Sequence, residues 1–129
     1  MAGNFSTQLD GRGMPVDYSF HEEWEVTPRE TKRGVEAGSI LLLDCRRADE
    51  FELCRIEGAT LAPLDELGAR VEEIREEAAG RPIVVHCHTG RRSLRAAAFL
   101  RAQGFEDVKS MAGGIELWSL DIDPSVPRY

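Results

Sequence analysis

The sequence predicts an α/β fold in which a small open parallel sheet, about five strands wide, has helices on both faces. The first observation is a set of short apolar runs. Among them, Ser39–Asp44 and Pro82–His86 have the length and composition of strands that are buried on both sides. The second observation is that segments with helix caps or helical periodicity separate these runs, and such alternation is typical of parallel sheets covered by helices.

Caps and apolar periodicity locate the elements. Thr27–Glu30 combines an N-cap threonine with proline at the first helical position and a capping-box glutamate, and predicts a helix that ends at Gly38. Val71–Gly80 carries apolar residues at helical spacing among glutamates, which predicts an amphipathic helix. The segment 92–103 is apolar enough to predict a helix buried on all sides. Weaker signals predict helices at 48–53 and 115–120, strands at 59–62 and 107–111, and a turn at Gly113-Gly114.

The length of 129 residues predicts one domain. Residues 1–24 are interrupted by glycines and a proline and hold no apolar period. We therefore expect them to form an N-terminal arm that either is flexible or lies over the domain. Regular capping and periodicity begin at Glu25, so the domain is expected to span residues 25–129.

Charge and composition exclude several classes of function. The formal net charge of −7 gives the chain no general attraction to nucleic acid or to an anionic membrane. No apolar run approaches the roughly 18–20 residues that span a bilayer. The first residues lack the basic and apolar regions of a secretory signal. This predicts a cytoplasmic protein whose three cysteines are free thiols.

The segment from Cys87 to Ser93 carries the residues that indicate chemistry. It joins the strongest predicted strand to the most apolar predicted helix, and open parallel sheets bind ligands at such strand ends. Gly90 permits a tight loop with inward-turned amides, and the start of the following helix favours negative charge. With Arg91 and Arg92 just beyond, these groups are expected to lower the pKa of the Cys87 thiol and make it a nucleophile.

The neighbouring polar residues have plainer interpretations. Cys45 and Cys54 are interpreted as ordinary buried cysteines. A metal site built from His86, Cys87 and His88 is not expected, because adjacent strand residues point to opposite faces and the sequence has no second ligand pair. No other cofactor is expected.

The spacing Cys87-x-x-Gly90-x-Arg92-Ser93 resembles the active-site loop of the single-domain rhodaneses, a family of sulfurtransferases. Further motifs resemble the family in the family's order. These are Asp44-Cys45-Arg46 with Glu50-Phe51, Ile56-Glu57-Gly58-Ala59 with Pro63-Leu64, and Gly104-Phe105 with Gly113-Gly114 and Trp118. Where the family often has Gly-His-Ile, this chain has Cys54-Arg55-Ile56, which leaves open whether Cys54 is a resolving thiol.

The resemblance implies a rhodanese-like fold and a sulfurtransferase that moves a sulfane sulfur through a persulfide on Cys87. The implied donor is a small molecule such as thiosulfate, and the implied acceptor is cyanide or another thiol. The backbone amides of residues 88–92 would cradle the sulfur. The substrate-binding residues implied in this way are His88, Thr89, Gly90, Arg91, Arg92 and Ser93. Asp44 and Arg46 are expected either to position the loop through a salt bridge or to contact substrate.

Two other functions stay open. One is a rhodanese-like module that binds or regulates without turnover, or that passes sulfur to a ubiquitin-like sulfur-carrier protein. The ending Asp123–Tyr129 resembles that of rhodanese domains fused to enzymes that thiolate such carriers. The other is a cysteine phosphatase or arsenate reductase. Phosphatases of a related fold need a longer loop between cysteine and arginine, whereas four residues separate Cys87 from Arg92. The shorter loop favours a sulfur over a phosphate.

Overall fold

The computed structural model describes residues 6–129, and its strands form a parallel sheet. The strands are β1 (Glu25–Val26), β2 (Leu41–Asp44), β3 (Thr60–Leu61), β4 (Ile83–His86) and β5 (Val108–Met111). They lie in the order β1-β5-β4-β2-β3, and each neighbouring pair is parallel. The sheet confirms the predicted α/β class and the predicted width.

The helices are α1 (Pro28–Ala37), α2 (Ala48–Leu53), α3 (Val71–Ala78), α4 (Arg91–Ala102) and α5 (Gly114–Asp121), with a 3₁₀ helix at Leu64–Arg70. The predicted capping box starts α1. The Thr27 hydroxyl accepts from the Glu30 N–H at 3.1 Å, and the Glu30 carboxylate accepts from the Thr27 N–H at 3.1 Å. Gly38, at φ 66°, ends the helix as predicted. Within residues 6–129, none of the helices has both the length and the apolar character needed to cross a bilayer.

The strand order creates a crevice between β2 and β4. The chain leaves β2 toward β3 on one side of the sheet and leaves β4 toward β5 on the other. In open parallel sheets, ligands bind at such a switch point, outside the carboxyl ends of the strands. Asp44 and His86 are register partners at this edge, so Cys45 and Cys87, the residues that come directly after them, meet at the crevice.

Alternate residues of the two central strands face two separate cores. Leu43 and Val85 belong to the core that includes side chains of α3 and α4, whereas Leu42 and Val84 belong to the core that includes side chains of α1 and α5. The sheet is therefore covered by helices on both faces, as its continuous apolar strands predict.

Three local features differ from expectation. Helix α3 ends in a left-handed residue at Ala79, with φ 51°, one position before the predicted Gly80. Helix α4 is buried on one face only, and Ala98 is exposed. Its alanines make the composition of the helix apolar, but their side chains are too small to fill an interface on a second face. Strand β1 was not predicted, since two residues at a sheet edge carry no apolar period.

The described part of the arm, residues 6–24, lies against the domain. Met14 is fully buried beside Leu117 of α5. The Tyr18 hydroxyl donates a hydrogen bond to the Glu25 carboxylate at the start of β1. Residues 1–5 of the predicted arm lie outside the described residues, and the boundary between residues 24 and 25 stays a prediction.

Candidate active site

The sulfur of Cys87 lies among several hydrogen-bond donors. The Gly90 N–H lies 3.1 Å from Sγ, the Ser93 N–H lies 3.4 Å from it, and the Ser93 hydroxyl lies at 3.3 Å. Gly90 has φ 114°, a value that glycine adopts without strain. Helix α4 begins directly after this glycine, so its first N–H groups have no partner within the helix, and the Ser93 N–H turns to the sulfur.

The turn before α5 holds this loop from its other side. The Ile115 N–H donates to the Cys87 carbonyl at 2.9 Å, and the Glu116 N–H donates to the His88 carbonyl at 3.1 Å. Gly114 allows this approach, because a Cβ atom there would lie 2.3 Å from the His88 carbonyl oxygen. Since α5 engages the loop carbonyls, the loop N–H groups are left to face the sulfur.

The surroundings lower the pKa of the Cys87 thiol to about 5. The largest contribution is a hydrogen bond from the Cys45 side chain. Burial opposes ionisation, and the Ser93 hydroxyl with the amides of Ser93 and Gly90 adds to the lowering. The expected direction of the shift is confirmed, but a second thiol, rather than the two arginines, is its main source. Cys87 is therefore a thiolate at neutral pH.

Cys45 is a site residue that the sequence interpretation missed. Its N–H donates to the His86 carbonyl at 3.0 Å, which continues the pairing of β2 with β4 and makes Cys45 the register neighbour of Cys87. Both cysteines are 1% exposed and lie in the same core. The hydrogen bond to Cys87, together with burial, raises the pKa of Cys45 well above its usual range, so Cys45 remains a protonated thiol. Cys54 lies in the core on the opposite face of the sheet.

A second buried serine fixes the Ser93 hydroxyl. The Ser93 and Ser110 hydroxyl oxygens lie 2.7 Å apart, and both residues are fully buried. Ser110 is on β5 and was not predicted as a site residue. Its contact orients the Ser93 hydroxyl beside the Cys87 sulfur.

Arg92 is held beside the loop by an ion pair. Its guanidinium donates to both oxygens of Glu50, at 2.6 and 3.0 Å, in the bidentate geometry that suits arginine. The Tyr129 hydroxyl donates to the same carboxylate at 2.7 Å. Burial opposes ionisation of Glu50, but the bonds from Arg92 and Tyr129 outweigh it and lower the pKa of Glu50 to about 2. Arg92 thus neutralises a buried carboxylate and keeps a fixed position near the site.

Asp44 and Arg46 form the expected salt bridge, and both are fully buried. The guanidinium of Arg46 lies 2.6 Å from the nearer Asp44 oxygen and also donates to the Cys54 carbonyl at 2.7 Å. A further bond, to the Tyr129 hydroxyl, is 3.0 Å long. These contacts tie the end of β2 to the segment after α2 and to Tyr129. They do not reach the backbone of residues 88–92.

The remaining predicted residues have varied surroundings. The His88 ring stacks on Tyr129 with centroids 4.1 Å apart, while its Nε2 atom is buried and has no hydrogen-bond partner among the described residues. Thr89 is half-buried and Arg91 is exposed. The residues predicted as substrate-binding thus lie in one loop and helix start. Among them, the described contacts to the sulfur come from Gly90 and Ser93.

A cleft of about 380 Å³ adjoins the cysteine pair. Cys45 lies in its wall, and its charged lining residues are Arg46, Arg47, Asp65, Arg92 and Arg95. Three of these arginines already pair with carboxylates, Arg46 with Asp44, Arg47 with Asp49 and Arg92 with Glu50, so most of the positive charge of the lining is neutralised within the protein. Among residues 6–129, no cluster of three or more histidine, cysteine or acidic side chains has a metal-binding arrangement.

A parallel sheet with this switch point and a cysteine loop directly before α4 together define a class of protein. Comparison of the sequence with protein families identifies that class. A family model described as a rhodanese-like domain matches residues 27–121. The chain belongs to the rhodanese-like domain family. The predicted resemblance and fold are thereby confirmed.

Individual relatives agree with this assignment. The chain is 35% identical over 126 residues to the adenylyltransferase and sulfurtransferase MOCS3-1 of Zea mays, a match that covers 94% of this chain and 27% of that protein. The crystal structure of reduced Bacillus anthracis CoADR-RHD matches with a TM-score of 0.71 and 32% identity, over 82% of this chain and 18% of that one.

A thiosulfate sulfurtransferase from Pseudomonas aeruginosa matches with a TM-score of 0.66 and 28% identity, over 75% of this chain and 19% of that one. The chain thus spans about a quarter or less of the length of each of these relatives.

Proposed function

We propose that this protein is a sulfurtransferase that carries a sulfane sulfur as a persulfide on Cys87. The observation that carries the proposal is the environment of the Cys87 sulfur: two backbone amides and the Ser93 hydroxyl lie within hydrogen-bond distance of it, and its pKa is about 5. The thiolate is the reactive form of cysteine, and this environment maintains it at neutral pH.

In the first half-reaction, the Cys87 thiolate attacks the outer sulfur of thiosulfate. A sulfur–sulfur bond forms on Cys87 while the bond within thiosulfate breaks, and sulfite leaves with the electron pair. In the second half-reaction, cyanide attacks the outer sulfur of the persulfide and leaves as thiocyanate, which restores the thiolate. Charge and atoms balance in both steps, and the covalent intermediate gives ping-pong kinetics.

Thiosulfate as the donor is supported by local charge. Arg91 is exposed at the start of α4, and the N-terminus of this helix favours an anion. A dianion is thus attracted to this edge although the whole chain is acidic. The likeness to a thiosulfate sulfurtransferase agrees with the same donor.

A protein acceptor is the second candidate for the final step. The relative from Zea mays combines a sulfurtransferase with an adenylyltransferase, and this pairing is consistent with transfer of sulfur within a relay. In that case, a thiophilic group of a sulfur-carrier protein takes the place of cyanide. The chemistry at Cys87 is the same whether cyanide or a sulfur-carrier protein is the acceptor. The two acceptors are therefore distinguished only by an experiment in which they compete for the persulfide sulfur.

The persulfide is tested by intact mass after incubation with thiosulfate and removal of the excess. The wild type is expected to gain one sulfur atom and to lose it again on addition of cyanide. Cys87→Ser is expected to gain none. Cys54→Ser, which removes a buried cysteine from the other face of the sheet, serves as the matched control and is expected to behave as the wild type.

A wild type that neither gains a sulfur atom nor releases one as hydrosulfide contradicts the proposal, as does equal sulfur uptake by Cys87→Ser. A protein that binds a partner tightly but takes up no sulfur is instead a binding module. Hydrolysis of an aryl phosphate that is lost in Cys87→Ser indicates a phosphatase.

A further inference from the structure

We propose that Cys45 is a resolving thiol for Cys87. It attacks the inner sulfur of the Cys87 persulfide, forms a Cys45–Cys87 disulfide and expels the outer sulfur as hydrosulfide. The inference rests on the persulfide proposed above and gives the site a second product, hydrosulfide, in addition to the sulfur passed to an acceptor.

Strand register places the two cysteines side by side. Asp44 pairs with His86, and the next residues continue this pairing through the bond from the Cys45 N–H to the His86 carbonyl. Neighbouring strands are about 4.8 Å apart. Disulfides join Cα atoms about 4.4–6.8 Å apart, so the backbone spacing needs no rearrangement for a bond to form.

The two side chains also point the same way. Residues alternate between faces along a strand, and Leu43 and Val85, two positions before the cysteines, lie in the core that holds Cys45 and Cys87. The Cys45 side chain is also the largest influence that lowers the pKa of Cys87. The two side chains therefore lie on the same face of adjacent strands and interact with each other.

The resolving step needs no additional reactant. In the persulfide the negative charge resides on the outer sulfur, so Cys45 no longer lies beside a Cys87 thiolate. The Cys45 proton passes to this outer sulfur and leaves Cys45 as the attacking thiolate. When the Cys45 sulfur bonds to the inner sulfur, the bond between inner and outer sulfur breaks, and the outer sulfur leaves with the electron pair. The departing sulfur keeps the Cys45 proton, so a thiol and a persulfide anion become a disulfide and hydrosulfide.

The arginine-lined cleft gives this disulfide a route back to the reduced state. Cys45 lies in the cleft wall, whereas Cys87 is not among the residues that line the cleft. A thiol reductant that attacks Cys45 there releases Cys87 as the better leaving group, since its pKa is about 5. A second thiol equivalent then completes the reduction.

Cys54, the other candidate from the sequence, is poorly placed for this role. It packs in the core on the opposite face of the sheet, and its sulfur lies 3.8 Å from the Arg46 guanidinium. The sheet separates it from Cys87. A resolving role therefore falls to Cys45.

The test measures persulfide decay without an acceptor. Wild type, Cys45→Ser, Cys45→Ala and Cys54→Ser are loaded with thiosulfate, freed of excess and incubated. Released hydrosulfide, intact mass and non-reduced peptide maps are then measured. Wild type and Cys54→Ser are expected to release one hydrosulfide per persulfide and to gain a Cys45–Cys87 link.

Both Cys45 variants are expected to keep the persulfide at least about tenfold longer, because an adjacent thiol acts at high effective concentration. Two variants are used so that one folding failure does not decide the result. Equal persulfide lifetimes in wild type and a folded Cys45 variant overturn the proposal. Hydrosulfide release without a Cys45–Cys87 link also overturns it.

A parallel arm with hydrogen peroxide separates this proposal from the sulfurtransferase proposal. Peroxide oxidises the Cys87 thiolate to a sulfenic acid, and the Cys45 thiol then condenses with it and releases water. A Cys45–Cys87 link without any sulfur uptake from thiosulfate refutes the sulfurtransferase while supporting Cys45 as the resolving thiol. Sulfur uptake with no such link in either arm refutes the resolving thiol alone.

Discussion

The carboxyl ends of β2 and β4 are alike up to their cysteines and differ in the segments beyond them. Each strand ends in a buried polar residue, Asp44 or His86, and each is succeeded by a cysteine that is 1% exposed. After β4, a short loop with Gly90 leads into α4 and supplies amide donors to the sulfur. After β2, Arg46 turns back onto Asp44 in a fully buried ion pair.

This difference explains why one cysteine is a thiolate and the other a thiol. The backbone around Cys45 is already used, since its N–H bonds to His86 and its carbonyl accepts from Leu64 at 3.1 Å. Cys45 therefore acts as a donor, and Cys87 as the acceptor. The residue type sets the available chemistry, but the donors that converge on the sulfur decide which thiol ionises.

The largest expected effect comes from the β2 end and concerns stability. Arg46→Met leaves the Asp44 carboxylate buried without its partner, and removal of one member of a buried pair costs about 3–5 kcal/mol. Chemical denaturation is expected to show this loss in the free energy of unfolding. The additional change Asp44→Asn should restore part of it, and a loss below about 1 kcal/mol would be inconsistent with a structural ion pair.

The next effect comes from the β4 end and concerns reactivity. Gly114→Ala forces the turn before α5 away from the His88 carbonyl and displaces the loop, so sulfur uptake is expected to fall about a hundredfold. Gly80→Ala is the matched control. Gly80 also has a positive φ, 82°, but a Cβ atom there meets nothing within 4 Å. Equal uptake rates in the two variants would show that the α5 turn does not position the loop.

A smaller effect is expected at Ser110. Ser110→Ala removes the bond that orients the Ser93 hydroxyl, which is worth about 1 kcal/mol, so sulfur uptake should slow about fivefold. Ser119→Ala removes a buried hydroxyl that donates to the Val126 carbonyl instead, and should leave the uptake rate unchanged. Stopped-flow measurement of sulfite release compares them, and equal rates would show that Ser110 does not orient Ser93 for the reaction.

Much of the fold is readable from local signals. The capping box at Thr27, the apolar runs of β2 and β4 and the cysteine loop at residues 87–93 each depend on neighbours in sequence. The donors around Cys87 from its own loop were foreseeable for the same reason. Ser110 was not, because its contact with Ser93 depends on the pairing of β5 with β4.

Cys45 is a site residue that could not be identified from the sequence, although the sequence carries a signal for it. Both cysteines come directly after a four-residue strand that ends in a polar residue, so they occupy the same offset in two similar segments. That similarity indicates a pair only when β2 and β4 are known to be adjacent and in register. Adjacency is a property of topology, and the chain separates the two strands by 38 residues that include β3 and α3.

The ionisation of Cys87 is the most direct test of how the two strand ends activate the proposed nucleophile. The ultraviolet absorbance of the thiolate is titrated in wild type, with Cys87→Ser subtracted as the baseline. A midpoint near pH 5 is expected, and Cys45→Ala should raise it toward the ordinary cysteine value of 9.0, because the strongest donor to the thiolate is lost. A wild-type midpoint near 9.0, or one that Cys45→Ala leaves in place, would contradict the claim that donors from both strand ends ionise Cys87.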